Sequence, residues 1–163
     1  MNLHEAVQDP AYTALGEVEK RVLSEIGLSE KNVAHLCCNN GVELISILRM
    51  GAAHGIGFDI SDAFIQEAQE LAALAGVNCD FIRSDVLEIP ATYDGQFDLV
   101  VFTIGALTWI AELDKLFAIC RRLLKPGGSM LIYEMHPVLD MMAGPGDSLY
   151  NAEDELKIAY SYF

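Results

Sequence analysis

Asn32–Ser61, NVAHLCCNNGVELISILRMGAAHGIGFDIS, decides the fold. The apolar run Val33–Cys38 reads as a strand, and the polar loop Asn39-Asn40-Gly41 closes it. Val42–Met50 then carries its apolar residues at helical spacing up to a stop at Gly51. Gly55–Ile60 is a second strand without polar alternation, as expected of a strand covered on both faces. Strand, glycine turn, helix and strand make the first βαβ unit of a nucleotide-binding sheet. Such a turn aims backbone N–H groups into the crevice above the sheet. An acid at the end of the next strand, roughly 20 residues on, accepts hydrogen bonds from ribose hydroxyls. Gly41 and Asp59 occupy those two places and predict an adenosine-type ligand without specifying it.

The loop narrows the choice. A dinucleotide fingerprint needs G-x-G-x-x-G so that a pyrophosphate can approach the backbone. Cys37-Cys38-Asn39-Asn40-Gly41 offers one glycine, so a pyrophosphate would meet side chains. No G-K-[ST] follows, which excludes a Walker loop. A nicotinamide-dependent dehydrogenase is therefore disfavoured, whereas a plain βα turn without ligand is compatible with this segment alone.

The rest of the chain repeats the alternation. Tyr12–Ile26 is predicted helical and stops at Gly27. Ser61 stands at an N-cap, with Asp62 at the positive end of the dipole, ahead of a helix that ends at Gly76. Asn78–Arg83 and Phe97–Thr103 are the third and fourth strands, separated by a polar connection with Pro90 and the Asp94-Gly95 turn. Leu113–Leu124 is a helix with Arg121, Arg122 and Lys125 at its negative end. Pro126-Gly127-Gly128 predicts a turn before a fifth strand, Ser129–Met135. Strands and helices alternating in this way make right-handed crossovers and a doubly wound, mostly parallel sheet. The expected fold is α/β, three-layered and Rossmann-like, with five strands and one further candidate, Leu156–Phe163.

By length the chain is one domain, 1–163, with a helical segment over 1–30. At 52% hydrophobic and 21% charged it is globular rather than disordered. A net charge of −14 disfavours nucleic acid and anionic lipid as partners. No apolar run approaches the roughly 20 residues of a membrane span, and the N-terminus is not a signal peptide. Cys37, Cys38, Cys79 and Cys120 lack metal-ligand spacing and are expected to be reduced thiols in a cytoplasmic protein, with no metal.

Four blocks, VAHLCCNNG, GIGFDIS, FIRSDV and FDLVVFTIGALTWI with LLKPGGSMLIYE, resemble the class I S-adenosylmethionine-dependent methyltransferases over roughly residues 33–137. In the common form of the first motif an acid and alternating glycines stand where this chain has His35, Cys37 and Asn39; H-L-x-C-N-N-G is similar to a less common bacterial branch. The resemblance implies that Cys37, Cys38, Asn39 and Gly41 underlie the methionine part of S-adenosylmethionine. It implies that Asp59 binds the ribose, Ile60 and Val86 sandwich the adenine, and Asp85 accepts its amino proton. Thr103, Ile104 and Gly105 would face the sulfonium. Read singly, Asp59 and Asp85 are also what solvated acids at strand ends look like.

The implied reaction is methyl transfer to a small-molecule acceptor, an in-line displacement in which positioning supplies much of the rate. A base is needed only if the acceptor must lose a proton, and Glu134 and His136 are candidates. Trp109 and Tyr12 are candidates for the border of an acceptor pocket, and no catalytic residue is assigned. The resemblance also implies seven strands, of which the fifth is complete by Met135; residues 136–163 are then an incomplete C-terminal part. The fifth strand is expected to be an apolar edge, covered by the final segment or by a second copy in a homodimer. The competing expectation is a methyltransferase-like binding or interaction module without activity of its own.

Overall fold

The computed structural model describes residues 2–144, 148 and 158–161. They fall into two compact units, Met1–Tyr133 and Glu134–Phe163. The first holds helices α1 (Leu3–Ala6), α2 (Glu17–Ile26), α3 (Val42–Arg49), α4 (Asp62–Ala75) and α5 (Leu113–Leu123). Its strands are β1 (Asn32–Leu36), β2 (His54–Asp59), β3 (Cys79–Arg83), β4 (Phe97–Phe102) and β5 (Leu124–Ile132). They form one sheet in the order β3-β2-β1-β4-β5, every pairing parallel. The predicted Rossmann-like α/β fold is the observed one.

Strand alternation sorts the core into two layers. Val33, Leu99 and Val101 face one side of the sheet, where Leu23, Leu44, Ile47, Ile65 and Leu71 cover them. Ala34, Leu36, Val100 and Phe102 face the other, against Leu116, Ile119 and Leu123 of α5. Burying each such aliphatic or aromatic side chain is worth about 1.5–3 kcal/mol before ordering costs. The chain crosses from one face to the other between β3 and β4, so the strand order reverses at the β1–β4 pair. A crevice at the carboxyl ends of strands is expected at such a reversal.

Two element starts differ from the sequence expectation. Helix α2 begins at Glu17, not Tyr12, because Gly16 takes an extended N-cap conformation and its N–H donates to Glu19 Oε2 (2.8 Å). Residues before it run over α3, where Arg49 donates to the carbonyls of Val7, Asp9 and Tyr12, and Ser46 Oγ accepts the amide of Ala14 (3.0 Å). Strand β5 begins at Leu124, ahead of Pro126-Gly127-Gly128, which bulges out of it; Phe97 pairs with Leu124 but Leu99 with Ser129. Among the described residues β5 pairs only with β4, and Met130 and Ile132 are exposed on it. Of the expected strand Leu156–Phe163, residues 156, 157, 162 and 163 lie outside the described residues, and Ile158 makes a single antiparallel bridge with Met142 inside the second unit.

Candidate functional site

The loop 37–41 shows how a sequence poor in glycine keeps a tight βα turn. Cys37 (φ 54°) and Asn39 (φ 50°) both take left-handed backbone, and Gly41 (φ 75°) caps α3 with its N–H on the carbonyl of Cys38 (2.9 Å). Beneath the turn, a Cβ on Gly41 would stand 2.3 Å from the Phe81 ring, and one on Gly57 2.5 Å from the same ring. The turn is thus pressed onto an aromatic floor. Asp59 ties it to β2: Oδ2 accepts the amide of Asn39 and Oδ1 the amide of Ser61, each at 2.9 Å.

Above this turn opens a cleft of about 730 Å³ at the carboxyl ends of β1, β2 and β4. Nine of the eleven residues singled out in the sequence line it: Cys37, Asn39, Asp59, Ile60, Asp85, Val86, Thr103, Ile104 and Gly105. The other two do not. Cys38 is fully buried, its thiol held up by burial among apolar neighbours and by the Asp59 charge, and Gly41 is turned onto Phe81. Asp85 sits in an Asx turn, Oδ1 accepting the amide of Leu87 (2.8 Å). Trp109 lines the cleft and is 88% exposed, whereas Tyr12 packs against the core beside α3 and its carbonyl accepts a hydrogen bond from Arg49. Glu134 and His136 belong to the second unit, where His136 Nδ1 accepts the amide of Val138 (3.2 Å).

The charges of the cleft have one sign. Glu43, Asp59 and Asp85 line it, and among the described residues no lysine, arginine or histidine does. Arg83, at the end of β3, is engaged by Asp62 (3.1 Å) and by the carbonyl of Ile60 (3.3 Å). Burial and the nearby Glu19 charge raise the pKa of Glu43, partly offset by its backbone hydrogen bond. Below the cleft His35 is fully buried, its Nε2 3.0 Å from Thr103 Oγ1, and desolvation lowers its pKa to about 4. Among the described residues no group of three potential metal ligands comes together, and no helix is long and apolar enough to cross a membrane.

The family model for a methyltransferase domain matches residues 33–128, more than half of the chain and the whole of this cleft. The chain belongs to the methyltransferase domain family. It is 30% identical over 134 residues to a ribosomal protein L11 methyltransferase of Vibrio cholerae, covering 82% of this chain and 42% of that protein. It is 32% identical over 104 residues to a ubiquinone biosynthesis O-methyltransferase of Escherichia coli, covering 64% of this chain and again 42% of the relative. The chain therefore spans less than half the length of these curated relatives. A putative S-adenosyl-L-methionine-dependent methyltransferase structure from Methanococcus maripaludis shares the fold, with a TM-score of 0.67 and 19% identity over 82% of this chain and 57% of that one.

Sequence reading of this methyltransferase domain named Trp109 at the cleft but missed Glu43, Phe64, Leu87, Ala106, Ile110 and Ala111. Glu43 carried a signal: a charged residue in the first turn of a helix that follows the ligand loop points toward the loop's ligand more readily than toward the core. The partnership of His35 with Thr103 carried none, since 68 residues separate them.

Proposed function

We propose that the chain is the cofactor-binding part of an S-adenosylmethionine-dependent methyltransferase acting on a small-molecule acceptor. The observation that carries this reading is the charge of the cleft, three carboxylates without a lining cation among the described residues. That surface opposes phosphate groups and suits a sulfonium, which desolvates beside carboxylates at low cost. The residues fit the group. Asp59, though bonded to two amides, has a lone pair left on each oxygen for ribose hydroxyls, and Asp85 has an oxygen left for an adenine amino group. Ile60 and Val86 supply apolar faces for a base, and the 37–41 turn underlies the amino-acid end, Cys38 and Gly41 through backbone alone. Thr103, Ile104 and Gly105 border the sulfonium side.

Bound S-adenosylmethionine supplies an activated methyl group on a sulfonium leaving group. The protein's part is to hold it in line with the acceptor and to exclude water. Trp109, exposed at the rim, is the aromatic surface against which a planar acceptor would stack. Four cysteines that form no disulfide and the acidic composition fit a cytoplasmic enzyme without a nucleic-acid partner.

Isothermal titration with S-adenosylhomocysteine tests this reading, with NAD and the Asp59→Asn variant as controls. Micromolar binding, weakened about tenfold or more in the variant and absent for NAD, is expected for a charge-assisted pair of hydrogen bonds. Equal heats from NAD and S-adenosylhomocysteine would overturn it. A second reading, a methyltransferase-like interaction module that self-associates through β5, is favoured by the exposure of Met130 and Ile132 on that edge. Sedimentation equilibrium of the wild type against Ile132→Lys separates a dimer from a monomer.

A further inference from the structure

Resting on the reading of the cleft as a cofactor site, we infer that His35 is a positioning residue that orients the Thr103 hydroxyl to donate a hydrogen bond to the carboxylate of the cofactor's amino-acid end. His35 is fully buried and reaches one polar partner among the described residues, Thr103 Oγ1 at 3.0 Å from Nε2. Its other nitrogen, Nδ1, is buried without a partner there. A neutral imidazole carries one proton, on either nitrogen. With the proton on Nδ1 the fold would bury an orphan N–H, the rarer and costlier defect; with it on Nε2 only an acceptor lone pair is unmet. The ring is therefore the Nε2–H tautomer, and Thr103 Oγ1 is the acceptor of that bond.

The consequence falls on Thr103, which lines the cleft. Its oxygen is engaged from below, so its own hydrogen is directed away from His35. Among the described residues the cleft holds no cationic side chain, so a ligand carboxylate entering it is met there by neutral donors. The lining side chains that offer such donors are Asn39, Asn40, Ser61, Thr103 and Trp109. Of these, Thr103 alone is fixed by a buried ring that neither solvent nor rotation can replace. A neutral histidine at 35 makes this donor without adding a fourth negative charge to the cleft.

The test compares two ligands. S-adenosylhomocysteine has the carboxylate; methylthioadenosine keeps the adenosine and sulfur but lacks the amino-acid end. His35→Leu and Thr103→Val are each expected to weaken S-adenosylhomocysteine about tenfold, the worth of one hydrogen bond to a charged group, and to weaken methylthioadenosine, which keeps the sulfur that Thr103 borders, by no more than about threefold. The double variant should be no weaker than either single one. His35→Gln, which keeps a donor at comparable reach, and Thr103→Ser are expected to stay within about threefold of wild type. Melting curves confirm that each variant is folded, and ¹⁵N spectra of the ligand-free protein are expected to show the Nε2-protonated neutral ring. Equal losses on both ligands, affinity unmoved in His35→Leu, or an Nδ1-protonated ring would overturn the inference while wild-type binding stands. Failure of the wild type to bind S-adenosylhomocysteine would instead overturn the cofactor reading, and this inference with it.

Discussion

Cys37 and Asn39 carry the backbone of a glycine without being one. A left-handed conformation costs an L-residue about 1–2 kcal/mol, least for asparagine, whose side chain bonds locally; here Asn39 Oδ1 accepts the amide of Asn40 (2.7 Å). Asn39→Gly should therefore leave stability within a few tenths of a kcal/mol, while Cys37→Val, β-branched at φ 54°, should lose about 1–2 kcal/mol in urea unfolding. His35 supplies a pH prediction at the same scale. Its folded pKa of about 4 lies below the unfolded value of 6.5, so the unfolded chain binds the proton first. Its contribution is complete above pH 6.5 and is lost as pH falls toward 4, and comparing pH 7.5 with pH 5 should show a loss of about 2 kcal/mol. His35→Leu should abolish that loss. Glu43, whose pKa is raised, acts in the opposite sense, since its folded form takes up a proton first as pH falls.

At the scale of elements, most of the fold was legible because apolar periodicity is a local signal. Helices α3, α4 and α5 and the first four strands lie within a residue or two of their expected limits. The misplaced starts of α2 and β5 share a cause: distant partners set them. Residues 12–16 have helical spacing, yet Arg49 and Ser46, more than 30 residues on, hold them extended. Pro126-Gly127-Gly128 has turn chemistry, yet β4 pairs with Leu124 in front of it. The turn at Gly41 gives a test of local against tertiary control. Gly41→Ala meets both φ 75° and the Phe81 ring at 2.3 Å, so it should cost about 3 kcal/mol or more. Gly51→Ala meets only an unfavourable φ in open space and should cost about 1 kcal/mol. Denaturant midpoints at matched m-values distinguish the two.

Across the whole molecule, the strand reversal between β1 and β4 gathers residues from four separate segments into one cleft. Sequence could name the strand-end residues because a doubly wound sheet always directs them there. It could not name the fold-specific pairings, His35 with Thr103 and Glu19 with Glu43, since those depend on which helix face meets which strand. The net charge of −14 hinted that phosphate was excluded, and the cleft localises that hint to three carboxylates. Glu43→Gln removes one of them. It should weaken S-adenosylmethionine, which carries the sulfonium charge, about threefold more than neutral-sulfur S-adenosylhomocysteine, with the difference shrinking in high salt. Parallel titrations at low and high ionic strength read both effects.

The aromatic floor beneath the ligand turn has a consequence for how this sequence can vary. Phe81 fills the space that side chains at 41 and 57 would need, and the Cys38 thiol lies 2.8 Å from a Cβ at 57. Positions 38, 57 and 81 are thus one volume shared among three codons. In a randomised library, alanine at 57 should be recovered only in clones where 38 and 81 have both shrunk. Each of those replacements alone opens a void, so the path between the two solutions runs through poorly folded intermediates.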